Sequence, residues 1–482
     1  MKRAAKSNQT LNLVEGNIGK TLVRFAVPFL LSSILQALYG AVDIFVVGHF
    51  ASPAHVSAIS VGSQIMSTLT FFAMGICTGG TILVGQFAGA KDGKNVSSTI
   101  GNLILISVGL AVIMTSIVLL LHSSIIAFMR TPAEAVVFAA DYMVICAFGL
   151  PFVVGYNLVS GILRGFGDSK SPLLFVFVAS VVNIVFDVYL VKELGMGAAG
   201  AAIATSGSQA VSLLFSLVYL KFRGLPFPFK VREHLRFKKA LFLKVFSFGL
   251  PLALQNILVN ISFLLITMIT NAMGLIVSAA VGVVDKVSNF VLLIPSSISN
   301  AVSAMVAQNI GAGQHDRALK SMRAGIYLSL CVCTLACIWT QVAPQTLTAI
   351  FASDEEVIKA GAMYLRAYGI DSVIVCFVFN MNAYFNGCGK SYFTMAHNIS
   401  TTFLIRIPVS YILSRIEGMT LLEIGMAVPL ASFVSMLMCL YFLKRSKEQM
   451  KQQALFVAPA NKTAIGNNAL TDETAIEEEE TS

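Results

Sequence analysis

Apolar runs long enough to cross a bilayer recur about twelve times along the chain, near residues 22–47, 56–80, 98–121, 136–163, 172–191, 197–220, 245–271, 277–304, 324–343, 361–385, 392–414 and 421–443. About 20 residues of helix, rising about 1.5 Å each, cover the roughly 30 Å hydrocarbon core of a membrane. The pattern predicts twelve transmembrane helices and an all-α integral membrane protein. Inside such runs a polar residue is costly, so the few that occur point to a cavity, a partner or a function. The first run, residues 24–48 (RFAVPFLLSSILQALYGAVDIFVVG), holds one carboxylate, Asp43. Gln36, Tyr39 and Asp43 recur at helical spacing and share one face. Pro28 removes an internal hydrogen bond and invites a kink.

Composition agrees with that reading. The 482 residues are 56% hydrophobic and only 12% charged, with mean hydropathy +0.80, against about 25% charged residues in soluble domains. The net charge of +9 would suggest a nucleic-acid partner in a soluble domain. Here the charge is juxtamembrane, so membrane lipids are the expected partner and nucleic acid is not. With the N-terminus inside, 25 Lys and Arg fall on the cytoplasmic side, against four outside, Arg130, Lys192, Lys359 and Arg415. That imbalance predicts cytoplasmic N- and C-termini in a plasma (inner) membrane protein. The N-terminal stretch lacks a short apolar core, so no cleaved signal peptide is expected. Eight cysteines are scattered along apolar runs. Cys331, Cys333 and Cys337 share one helix and are expected to be buried free thiols.

The chain also repeats. VGQFAGAKD (84–92) resembles VAQNIGAGQHD (306–316), which sets Gln86 against Gln308 at an offset of 222. At the same offset Tyr142 meets Tyr364 and Gly165 meets Gly387, while Pro28 and Pro251 lie at nearly corresponding points. Six runs per half is an even number, so both halves insert the same way up. The expected architecture is two six-helix lobes related by a pseudo-two-fold axis along the membrane normal, with a cleft between them. The expected organisation is a cytoplasmic segment (1–20), a first lobe (21–220), a basic cytoplasmic connection (221–244), a second lobe (245–443) and a tail (444–482). The tail ends EEEETS and reads as disordered.

A polar constellation falls in the first lobe. Asn183 and Asp187 lie four residues apart in the fifth run and share a face. Thr205 lies in the small-residue sixth run, where close helix approach is allowed. With Asp43 these residues fall at comparable depth in the outer half of the lobe. Two carboxylates, an amide and a hydroxyl offer hard oxygens and a proton acceptor, suited to a small cation or a shared proton. Interhelical hydrogen bonding is the structural alternative. No His or Cys joins them, which argues against a transition metal. The second lobe offers Gln255, Asn256 and Asn260 in the seventh run, Asp285 beside Lys286 in the eighth and Asp371 in the tenth, with Arg406 in the eleventh. Asn157 in the fourth run is a further polar candidate. No nucleotide-binding, zinc-protease or nucleophile-elbow motif occurs, so neither an enzyme nor a cofactor is expected.

QALYGAVDIFVVGH (36–49), VGQFAGAKD (84–92), GILRGFGDSKSP (161–172), NIVFDVYL (183–190) and VAQNIGAGQHD (306–316) together resemble the multidrug and toxic compound extrusion (MATE) family of secondary transporters. The resemblance spans about residues 15–445. It implies alternating access around a central cleft, driven by inward Na+ or H+, and export of bulky amphipathic organic cations by a monomer. It implies that Asp43, Asn183, Asp187 and Thr205 are the cation-coupling set, and the Na+ ligands if sodium is the ion. Gln36, Tyr39 and Asn157 then line the pocket, and Gln255, Asn256 and Asp371 are candidate substrate contacts. One departure is that the seventh run carries no acid, where a branch of the family has one. The rival readings are a flippase for a lipid-linked saccharide or lipid on a related two-lobe architecture, and a membrane receptor or channel.

Overall fold

The computed structural model describes residues 12–446; the expectations for residues 1–11 and for the acidic tail beyond 446 lie outside the described residues. Twelve crossings are present among the described residues. They are α1 (Ile18–Phe50), α2 (Pro53–Gly89), α3 (Gly93–Phe128), α4 (Ala133–Gly165), α5 (Lys170–Glu193), α6 (Gly197–Arg223), α7 (Lys239–Asn271), α8 (Leu275–Gly311), α9 (His315–Val342), α10 (Glu355–Gly387), α11 (391–414) and α12 (Leu421–Ser446). The chain is thus an all-α, multi-pass membrane protein of two six-helix lobes. Eleven crossings are long and apolar enough to span a membrane as single units. The remaining one, α11, is assembled from Ser391–Thr401, a π turn at Thr402–Arg406, and Ile407–Ser414. A second π stretch, Val188–Glu193, closes α5. Neither could be read from hydropathy, because a π turn changes the hydrogen-bond register without changing apolarity.

The helices run past the apolar runs because polar residues cap them beyond the hydrocarbon. The Asn17 side chain accepts the Lys20 N–H at 3.0 Å to start α1. Asp92 does the same for α3 through Asn95, whose backbone N–H, followed by its side-chain amide, holds the Asp92 carboxyl below the usual carboxylate range. Thr420 and Glu423 form a reciprocal capping box at the start of α12. The α4–α5 and α10–α11 turns each pass through a left-handed glycine, Gly167 (φ 84°) and Gly389 (φ 77°), as the repeat requires. α1 stays helical through Pro28, whose missing N–H deprives the carbonyl one turn back of its partner, and Ser32 Oγ donates to the Pro28 carbonyl at 2.8 Å. Outward faces are apolar and open, as at Leu120 (80% exposed), which suits contact with lipid. Cys331 is one such exposed residue and Cys337 is half-buried, so of that trio only Cys333 is buried as expected.

Packing repeats between the lobes. α2 packs on α4 as α8 packs on α10, α3 on α4 as α9 on α10, and α1 on α5 as α7 on α11. Across the axis α1 meets α8 while α7 meets α2. The cross-lobe seam is built on small residues. A Cβ on Gly79 would lie 2.4 Å from Gly249 N, and one on Gly75 would lie 2.4 Å from Ala253 Cα. At the end of α2 a Cβ on Gly89 would lie 1.9 Å from Gln308 O, and one on Gly311 would lie 1.8 Å from Gln86 O. Gln86 Nε2 donates to Gly387 O at 2.9 Å, and Gln308 Nε2 donates to Gly165 O at 2.7 Å. The repeated VGQ and VAQ motifs thus form one reciprocal clasp. These contacts all lie in the half of the bundle that carries the α2–α3, α4–α5 and α8–α9 turns.

The basic connection between the lobes is docked onto α3. Ser97 Oγ donates to Pro228 O, Asn102 Nδ2 to Arg236 O, and Lys238 Nζ to Ser98 Oγ. At the same end the fully buried Asp168 carboxylate accepts Lys170 N, Ser171 N and the Arg223 guanidinium, tying the α4–α5 turn to the end of α6. Asp168→Ala is expected to cost about 1–3 kcal/mol, less than a fully buried pair would lose, because Arg223 is 24% exposed and can turn to water. A lowered thermal midpoint of the detergent-solubilised protein checks this, and an unchanged midpoint would contradict it.

Candidate functional site

Three helix ends place the first-lobe set at one level. Asp43 is seven residues before the end of α1, Asp187 six before the end of α5, and Thr205 eight after the start of α6. α1 and α5 pack together, and the small residues of α6 bring it against both. Thr205 Oγ1 donates to Asp43 Oδ2 at 3.1 Å. Asp43 also meets the side chains of Asp187 and Asn183. Asp187 is fully buried and Asn183 is 1% exposed, while Asp43 is half-buried. The structure therefore brings together all four residues that the spacing selected.

What those groups lack is informative. Asp43 Oδ1, both Asp187 oxygens and both polar atoms of Asn183 are buried without a hydrogen-bond partner. Native interiors leave few polar atoms unpaired, and a buried unpaired charge is costlier still. Two ionised carboxylates are acceptors only, so side by side they repel unless a proton or cation lies between them. No acid of the crossing interiors, neither Asp43 nor Asp187, Asp285 nor Asp371, has an ion-pair partner among the described residues. The first-lobe group is thus a set of hard oxygens, chemically fitted to take up a small cation or a proton.

Around it stand residues that the sequence pattern did not single out. Tyr142 and Cys146, one turn apart on α4, are buried within electrostatic reach of Asp43 and Tyr39, and buried Tyr156 lies beside Tyr39. The repeat had aligned Tyr142 with Tyr364, but an aromatic on a crossing helix reads first as packing. Gln36 is exposed along the same helix as Asp43. Asn157 Nδ2 donates to Val153 O of its own helix at 2.9 Å. The second-lobe candidates form separate groups. Asn256 Nδ2 reaches Phe71 O of α2 at 3.5 Å, at the seam, and Gln255 Oε1 is buried without a partner. Asp371 lies on α10 with Ser288, Thr340, Tyr368 and Ser372 around a small cavity.

Comparison with known proteins converges on one family. The MatE family model matches residues 28–189 and again residues 251–412. The chain is 28% identical over 428 residues to "Probable multidrug resistance protein YoeA" of Bacillus subtilis (strain 168), covering 88% of this chain and 92% of that one. It is 24% identical over 418 residues to "Multidrug export protein MepA" of Staphylococcus haemolyticus (strain JCSC1435), covering 86% and 91%. Its fold superposes, with a TM-score of 0.85 and 20% identity, on a structure described as the outward-facing conformation of a multidrug resistance MATE family transporter, covering 92% of this chain and all of that one.

Proposed function

The chain belongs to the MatE family, and on that footing we propose that it is a secondary active exporter of amphipathic organic cations, exchanged for inward-moving Na+ or H+ at Asp43 and Asp187. The observation that carries this reading is the meeting of the buried Asp187 carboxyl and the half-buried Asp43 carboxyl with no basic partner among the described residues. Asn183 and Thr205 complete the oxygen set, with Gln36, Tyr39 and Asn157 toward the substrate path and Gln255, Asn256 and Asp371 as second-lobe contacts. Its relatives are named as export and resistance proteins, and no catalytic reaction is proposed for the chain. It acts as a monomer in the plasma membrane with both termini cytoplasmic, since one chain holds both lobes and the whole candidate pocket.

In the proposed cycle, cation or proton binding removes the repulsion between Asp43 and Asp187 and draws α1 and α5 together. α1 also packs on α8 across the seam, and its Leu22, Phe25, Ala26 and Phe29 sit in a core with Ile298, Ala301 and Met305. Repacking of α1 in the first-lobe pocket is therefore felt at the clasp between the lobes. The clasped arrangement corresponds to a state closed toward the cytoplasm. An electrogenic step can draw about 2.3 kcal/mol per charge per 100 mV from the membrane potential. Proteoliposomes with imposed pH or Na+ gradients test the proposal. Gradient-dependent movement of a radiolabelled organic cation is expected, abolished by collapsing one of the two gradients. Movement indifferent to both would refute it.

A further inference from the structure

The two matched stretches begin 223 residues apart, at 28 and 251, and end 223 apart, at 189 and 412. At that spacing Ile266 answers to Asp43, Ser410 to Asp187 and Arg406 to Asn183. Arg406 is the last residue of the π turn in α11. Such a turn holds one residue more than an α turn, which accounts for the move from the 222 spacing of Gly165 and Gly387 to 223 here. Where the first lobe has its oxygen set, the second has a methyl-bearing side chain, a hydroxyl and a guanidinium. The second lobe keeps two acids on other helices. Asp371 on α10 is 5% exposed with Oδ1 unpartnered, and Asp285 on α8 is half-buried.

Arg406 itself is 9% exposed, with its guanidinium carbon 4.5 Å above the Phe263 ring of α7. Its Nη2 donates to Tyr368 Oη at 3.4 Å, while Nε is buried without a partner. The groups within electrostatic reach of it are Asp285, Tyr364, Tyr368 and Asp371, and Lys286 adjoins Asp285 on an exposed face. A cation held in a low-dielectric interior with two acids near it, yet bonded to neither, neutralises them at a distance. It also denies their surroundings to a second coupling ion.

We propose that Arg406 is the resident cation of the second lobe, a tethered guanidinium in place of an exchangeable ion, so that among the described residues the Asp43/Asp187 pocket is the only site that takes up a mobile cation or proton. This rests on the exchange reading of Asp43 and Asp187. The transporter accordingly moves one coupling event per cycle, set by the first lobe.

The test uses the full-length protein purified in detergent, with two readouts: equilibrium binding of radioactive sodium, and the infrared carbonyl band of protonated carboxyl groups. In the wild type, the cation or proton equivalent is expected to vanish with Asp43→Asn and to survive Asp371→Asn. Arg406→Gln is expected to gain about one further equivalent per chain, as sodium or as protonated carboxyl, since the acids lose their positive neighbour. Asp371→Asn in that background should remove the gain, and Arg406→Lys, which keeps the charge, should show none. Loss of an equivalent from Asp371→Asn with Arg406 intact would overturn the proposal, and so would a folded Arg406→Gln protein that gains nothing. The Asp371 arm decides the matter even if Arg406→Gln fails to fold. Retention of the full wild-type signal by Asp43→Asn would instead refute the first-lobe exchange reading, which is a different failure.

Discussion

Asp43→Asn is expected to lower gradient-driven export by about 100-fold or more while leaving membrane insertion intact. To move a two-state equilibrium from 1:99 to 99:1, a ligand must bind one state about 10⁴-fold more tightly than the other, a difference of about 5.5 kcal/mol. Little besides the paired carboxyls can supply such a bias. Among the described residues no basic side chain joins the two carboxyls, the rest of their oxygen set is an amide and a hydroxyl, and Asp43 is the member on α1, the helix that reaches both lobes. The amide keeps the shape and the hydrogen bond from Thr205 but removes the charge and the repulsion. Transport by this variant in proteoliposomes at near the wild-type rate would mean that the first-lobe pocket does not drive the cycle.

Gly311→Leu is expected to abolish turnover by a different route, with cation binding at the first lobe preserved. A Cβ at that position would lie 1.8 Å from the backbone oxygen of Gln86, so no rotamer relieves the clash and the two helices must separate. Overpacking of this kind costs about 1–3 kcal/mol, enough to shift a conformational equilibrium by about 5–150-fold. The clasp made by Gln86 with Gly387 and by Gln308 with Gly165 should open. Ala307 is fully buried at this seam. Ala307→Cys in the Gly311→Leu background should therefore be labelled by an impermeant maleimide applied from the side that carries the α2–α3 turn, whereas Ala307→Cys alone should resist. Labelling that is equal in the two would show that the seam does not open there.

Much of the first-lobe pocket was legible because its chemistry is conspicuous. A carboxylate in an apolar run costs so much that its presence is a signal, and the four-residue spacing of Asn183 and Asp187 puts both on one face whatever the rest of the fold does. Tyr142 and Cys146 escaped for the converse reason, since an aromatic and a thiol on a crossing helix are ordinary packing residues until a carboxyl is found beside them. Arg406 was visible as a charge, but its environment was not. Whether it pairs with an acid depends on where α7 and α10 place Phe263 and Tyr368, and on a π turn that apolarity does not encode. The close approach of α2 and α8 at Gly89 and Gly311 was not in the sequence pattern and emerged only when the helices crossed.

Hydropathy, the asymmetry of basic residues and the repeated VGQ and VAQ motifs were enough to specify a twelve-helix, two-lobe membrane protein, because a bilayer tolerates few other ways to satisfy a backbone and because a duplicated half folds as its twin does. Helix crossing supplied what one-dimensional patterns lack, the distances between side chains far apart in the chain. It turned two isolated acids into one pocket, joined two repeated glutamines to two distant glycine carbonyls in a clasp, and left a guanidinium near two carboxylates without bonding to either. Each of these depends on which helix faces meet, and burial energy decides that over the whole bundle rather than within any single run.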